Sequence, residues 1–150
     1  YLKKMDPVKK EFLIDQFPKI LKNQQERIEK AKFYFTRLSN LECFDFPQKI
    51  FDNSNIFLDF PIICKDYDLK NFIWKKSLIN NIDIKNYYYT NCGNEDIYRI
   101  YNDKEQLENS DHVAKNIFML PVNKNFSIKD IEKIINFLSE TTKEWIKEKK

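Results

Sequence analysis

From Ile14 onward, apolar residues recur alternately three and four positions apart: Ile14, Phe17, Leu21, Ile28, Ala31, Phe35 and Leu38, with Gln24 filling one place. That spacing predicts one long helix with a narrow apolar seam, carrying Glu26 and Lys30 as an i,i+4 pair. The seam suits a coiled coil or a spine between domains. It suits equally a long helix laid on a sheet, which helix-length statistics favour. Pro18 predicts a kink or the true start of the helix.

Strand and helix patterns then alternate. Ile56–Cys64 (IFLDFPIIC) reads as a strand, with Pro61 pointing to an edge position or a bulge. Asp66 or Asp68 caps a helix whose inner face is Leu69, Phe72, Ile73 and Ile79. Ile84–Tyr89 reads as a second strand, residues 90–103 as a loop with Gly93 and several Asn, and residues 104–115 as a modest helix. Ile117–Val122 has the length of a buried strand, with Pro121 expected at its end because proline cannot donate to a ladder. Asn123-Lys124-Asn125 is turn chemistry. Ser127 with Asp130 three positions on is a capping box, opening a C-terminal helix whose face is Ile128, Ile131, Ile134, Ile135, Leu138 and Trp145. The order predicts an α+β fold: a small two-layer sandwich, its antiparallel or mixed sheet of three to four strands packed with helices, preceded by the long N-terminal helix.

Composition narrows the function classes. The chain of 150 residues fits one domain with a real core. A net charge of +3, from 26 basic and 23 acidic residues intermixed, describes a solvated surface rather than a nucleic-acid face. The single glycine, Gly93, excludes a P-loop and a dinucleotide-binding turn, both of which need glycine for close backbone approach to phosphate. Abundant Lys, Asn, Ile and Phe reflect an AT-rich genome, so lysine and aromatic counts carry little weight alone. Cys43, Cys64 and Cys92 are odd in number and too far apart in sequence for a zinc site, and read as reduced thiols of a cytoplasmic protein. No apolar run has membrane-spanning length. The chain opens on Tyr1 rather than Met, which implies a piece of something longer.

Few residues offer chemistry. His112 is the single histidine and sits in a polar stretch beside Asp111, so it reads as a solvated side chain. Cys92 has no activating partner in sequence. Asp66/Asp68 and Glu95/Asp96 read as caps and turn residues. Tyr87-Tyr88-Tyr89, followed by Thr90-Asn91, is more informative. Strand alternation turns Tyr88 away from its neighbours, so at least one phenol projects to solvent or a cleft, unless all three simply pack.

Ser110-x-x-Val113-Ala114-x-x-Ile117-x-x-Leu120-Pro121-Val122, then Phe126-Ser127-x-x-Asp130-Ile131-x-x-Ile134-Ile135, resembles the C-terminal end of the DegT/DnrJ/StrS sugar aminotransferases, of fold type I. Arg27, Ala31 and Tyr34 echo that family's "RRxxAxxY" segment, Phe60-Pro61-Ile62 its "hxFPI" strand, and Ile84–Tyr89 with Tyr98 its "hxxYYxP…Y" region. The resemblance covers most of the chain from about Asp15. It implies that residues 1–150 are one domain, the family's C-terminal small domain, with 1–40 the long helix that contacts a large domain and 41–150 the sandwich. It implies a parent that uses pyridoxal phosphate as electron sink to move an amino group from an amino donor onto a nucleotide-linked keto-sugar, working as a bacterial homodimer.

Catalytic residues, including the Schiff-base lysine, are then expected outside this chain, which alone binds no cofactor, metal or nucleic acid. Substrate contacts implied for this piece are Tyr88, Tyr89 and Asn91. Around Val8, Phe12 and Phe17 the first helix becomes an orphaned interface. The sequence departs from the family where Thr90-Asn91-Cys92 replaces "P-x-H" and where Leu2-Lys3-Lys4 replaces an Asn-Tyr-Arg segment. The competing reading is a non-catalytic binding or assembly module that keeps the small-domain architecture.

Overall fold

The structure, a computed structural model, describes residues 6–47, 49–52, 55–86, 91–99 and 108–149. It is an α+β fold whose long first helix, α1, spans Pro7–Leu38. Asp6 caps α1 by accepting from the Val8 and Lys9 amides, and Pro7 sits in the first turn, where its missing N–H costs nothing. The helix continues through Pro18.

Only the second half of α1 is packed. Ala31, Tyr34 and Leu38 are fully buried against the sheet, whereas Val8, Phe12, Ile14, Phe17, Ile20 and Leu21 stand in solvent. The predicted seam therefore divides: from Ile28 on it is a helix laid on a sheet, and before that it is an uncovered apolar face. Lys30 departs from expectation. Its ammonium turns into the protein and donates to the Asn123 carbonyl at 2.9 Å rather than pairing with Glu26. A lysine stem beside Ala31 lies over apolar surface, and its head finds a carbonyl there.

The sheet is antiparallel, in the order β1 (Phe44–Asp45), β2 (Asp59–Cys64), β3 (Ile117–Pro121). Two-residue β1 leaves no periodic signature, so the sequence does not announce it. The strand predicted from Ile56 begins only at Asp59, because Phe57 turns into the left-handed region (φ 47°). β2 is the central strand, not an edge, and still accommodates Pro61. Met119 turns both its N–H and its C=O to Lys85, at 2.9 Å each. Opposite it, the Pro61 nitrogen therefore faces away from β3, towards the side where β1 has already ended at the Asp45–Ile63 pair. The missing donor has no ladder to break. Pro121 closes β3, as expected.

Among the described residues, the predicted strand at Ile84–Tyr89 shows the bridge of Lys85 to Met119, on the side of β3 away from β2. Tyr87, Tyr88, Tyr89 and Thr90 lie outside the described residues, as does the stretch before Glu108 of the predicted helix 104–115. Two helices complete the inner layer. α2 (Tyr67–Ile79) is capped by Asp66, which accepts from the Asp68 amide at 2.7 Å. α5 (Ile128–Glu148) carries the predicted capping box in full, with Ser127 and Asp130 bonded reciprocally.

Leu69 and Ile73 are buried, but Ile79 at the end of α2 is exposed, and Ile128 in the first turn of α5 is exposed as well. Each lies at a helix end beyond the reach of the sheet. The loop expected at 90–103 contains a short 3-10 turn at Cys92–Asn94 and a one-turn helix, α3 (Asp96–Arg99); α4 follows at Glu108–Asn116.

Alternation along the strands sets the layers. Phe60, Ile62, Cys64, Phe118 and Leu120 point into the core with Tyr34, Leu38, Ile131 and Leu138. Asp59, Pro61, Ile63, Ile117 and Met119 form the opposite, half-buried face.

Candidate functional site

The half-buried sheet face is the floor of a cavity of about 550 Å3. Ile117 and Met119 of β3 supply the apolar base, Val113 and Ala114 of α4 one side, and Asn91 and Cys92 the other. α4 runs into β3 without a loop, so its Asn109, Ser110 and Val113 are delivered over the strand that follows. The lining pairs an apolar floor with amide and hydroxyl groups, the general composition of a small-molecule site.

Asn91, proposed from sequence as a substrate contact, lines this cavity, but its amide is engaged. Its Oδ1 accepts from the Gly93 amide at 3.1 Å and its Nδ2 donates to Asp111 Oδ1 at 3.0 Å. It thus caps the 3-10 turn and fastens it to α4. Tyr88 and Tyr89, the other two proposed contacts, lie outside the described residues. The exposed His112 faces Asn116, which with the imidazole proton on Nε2 donates to Nδ1 at 3.1 Å. Among the described residues no group of three or more His, Cys, Asp or Glu is arranged to hold a metal ion.

Both ends of β3 are held by buried lysines that sequence reasoning missed. Lys70 of α2 is 6% exposed and donates to the Lys115 carbonyl at 2.7 Å, just before the strand; Lys30 holds Asn123 just after it. Burial lowers the pKa of Lys70. The signal available was a lysine embedded in an apolar helical face, next to Leu69 and three residues before Ile73.

Arg27, Ala31 and Tyr34 occupy one stripe of α1. Arg27 Nη1 donates to the Phe57 carbonyl at 3.2 Å, Ala31 permits close approach, and Tyr34 donates to the Pro121 carbonyl at 3.3 Å. The stripe grips the end of the sheet where β2 begins and β3 stops.

Over residues 1–139 the sequence matches the DegT/DnrJ/EryC1/StrS aminotransferase family. The chain belongs to that family. No curated protein sequence matches it significantly. Its fold is shared with the aminotransferase TlmJ from Streptoalloteichus hindustanus, at TM-score 0.73 and 14% identity, over 87% of this chain and 34% of that one. It is shared with the sugar aminotransferase CalS13 from Micromonospora echinospora (TM-score 0.69, 15% identity), over 85% and 33% of the two chains. NtdA from Bacillus subtilis, whose crystal structure holds the cofactor PMP, superposes at TM-score 0.67 and 17% identity, over 81% of this chain and 28% of that one. This member of the aminotransferase family spans about a third of the length of the structures it matches.

A pyridoxal cofactor would need a lysine free to form a Schiff base and donors for its phosphate. The buried lysines do not fit. Lys30 and Lys70 each spend the ammonium on a backbone carbonyl, and neither lines the cavity at Asn91.

Proposed function

We propose that this chain is the C-terminal small domain of a pyridoxal-phosphate-dependent aminotransferase that transfers an amino group to a nucleotide-linked keto-sugar. In this reading residues 1–40 reach a large domain, residues 41–150 form the sandwich, and the Schiff-base lysine lies outside this chain. The observation that carries it is the superposition of most of this chain on only a third of a sugar aminotransferase, joined to the family match.

The cofactor, when bound by the parent, supplies the electron sink. This chain's own part is to wall one side of the substrate cleft. The cavity at Asn91, an apolar floor edged by the amides of Asn91 and Asn109 and the Ser110 hydroxyl, suits a neutral, hydroxyl-bearing ligand, and Tyr88, Tyr89 and Asn91 are its proposed substrate contacts. The uncovered half of α1 supports an interface with the large domain or with a second copy in a homodimer: Phe12 is 64% exposed, and a contiguous apolar face of this kind marks an interaction surface. Three free thiols, and no helix long and apolar enough to cross a membrane among the described residues, support a cytoplasmic protein.

The bonds that tie the Asn91 amide to Gly93 and Asp111, and the Thr90-Asn91-Cys92 stretch itself, favour the competing reading of a binding or assembly module. The deciding experiment supplies the full-length parent with pyridoxal phosphate, an amino-acid donor and a nucleotide-linked keto-hexose, and follows the amino-sugar product by chromatography. Turnover supports the enzyme; a cofactor-loaded parent that aminates no such sugar supports the module.

A further inference from the structure

Asp59 and Lys85 meet across a strand that separates them. Lys85 pairs with Met119, Met119 with Pro61, and Pro121 with Asp59, so β3 lies between the two residues. Directly opposed residues share a sheet face, and so do residues two apart on a strand. Asp59, Met119 and Lys85 therefore stand on the same half-buried face. Two strand spacings, roughly 10 Å, separate the outer backbones. The lysine stem crosses that gap over Met119. Its ammonium meets both carboxylate oxygens, at 2.7 and 2.9 Å.

The pair is shielded, with the lysine 29% and the aspartate 14% exposed. It is therefore screened less than a surface pair, and loss of one partner leaves the other charge poorly solvated. Beneath it, the Lys85 and Met119 backbones exchange two hydrogen bonds of 2.9 Å. Met119 is cavity floor, and further along the segment from Lys85, Asn91 is cavity wall, fastened to α4 through Asp111.

We propose that Asp59 and Lys85 are positioning residues: their ion pair, reaching over β3, fixes the edge from which the chain runs to the cavity wall at Asn91. Arg27 holds the Phe57 carbonyl just before Asp59, so the carboxylate end of the clamp is itself anchored to α1. Among the described residues the clamp and the Lys85–Met119 bridge together hold this edge against β3. Its consequence for substrate rests on the reading of the cavity as the sugar-facing side.

Amide hydrogen exchange on this chain tests the clamp without that reading. In Asp59→Asn, the Lys85 and Met119 amides should exchange roughly tenfold faster, as expected for local opening. The Phe118 and Leu120 amides, which bond to β2, should keep their protection, and Lys85→Arg in the otherwise unchanged chain, which keeps the cation, should retain most of the protection at the bridge. Unchanged bridge exchange overturns the proposal, and so does loss of protection across the whole sheet. In the full-length holoenzyme, given a nucleotide-linked keto-hexose, Asp59→Asn should raise KM several-fold at little change in kcat. An unchanged KM overturns the positioning role. A wild-type parent that aminates no keto-sugar overturns the functional reading instead, and the exchange result still decides the clamp.

Discussion

Tyr34 stacks on Phe60 with ring centroids 5.6 Å apart and planes 10° from parallel, while its hydroxyl donates to the Pro121 carbonyl at 3.3 Å. One side chain of α1 thus joins the centre of β2 to the end of β3. Burial raises the Tyr34 pKa well above the usual phenol value.

The first prediction follows from that shift. A phenol whose folded pKa is raised favours the native state fully below its unfolded pKa, about 10, and the contribution falls away as pH climbs above that value. Wild type should lose stability relative to Tyr34→Phe as pH rises beyond about 10. Near neutral pH the variant should be less stable by about 0.5–1.5 kcal/mol, the net value of one hydrogen bond. Urea unfolding of both chains across the alkaline range checks this. Parallel curves would show that Tyr34 titrates as freely in the fold as outside it.

Ile134 is buried between α5 and the sheet, and Ile134→Ala should destabilise by roughly 2–5 kcal/mol. An equilibrium urea curve with a midpoint close to wild type would mean that the helix face is not core.

Lys49 adopts a left-handed conformation (φ 56°) while its side chain is exposed. Residues with a Cβ pay for that geometry and glycine does not, so Lys49→Gly should stabilise the chain by about 0.5–1 kcal/mol. A higher urea midpoint at unchanged slope is the expected result; a lower midpoint would mean that the stem packs more than its exposure implies.

The capping box and the strand before it were legible because the information is local. Ser127 and Asp130 satisfy each other within one turn, and Pro121 can occupy few other places in a ladder. Lys30 and Lys70 were illegible for the opposite reason. Their partners, Asn123 and Lys115, are distant in sequence, and a charge reads as surface until tertiary packing supplies an acceptor. β1 escaped because two residues have no period. At the site, Asn91 was named for its place at the end of a tyrosine-rich strand, yet its bonds to Gly93 and Asp111 depend on a short turn and a helix that composition alone does not specify.

The uncovered half of α1 gives a fourth prediction. Phe17→Asp should change the stability of this chain by no more than about 0.5 kcal/mol, as for other exposed sites. In the full-length parent the same substitution should be strongly destabilising or should break the proposed homodimer, as judged by sedimentation. Equal effects in the two proteins would show that nothing covers this face.

The central claim is that this chain is the cofactor-free third of a pyridoxal-phosphate enzyme. Titrating pyridoxal phosphate into the 150-residue chain and into the full-length parent, and reading the cofactor's visible absorption, tests it most directly. The parent should take up one cofactor per chain with a shifted band, which borohydride should bleach while fixing the cofactor covalently to the protein, and the isolated chain should leave the spectrum of the free cofactor unchanged. A stoichiometric, borohydride-trapped adduct on the isolated chain would contradict the account and place the reactive lysine within these residues.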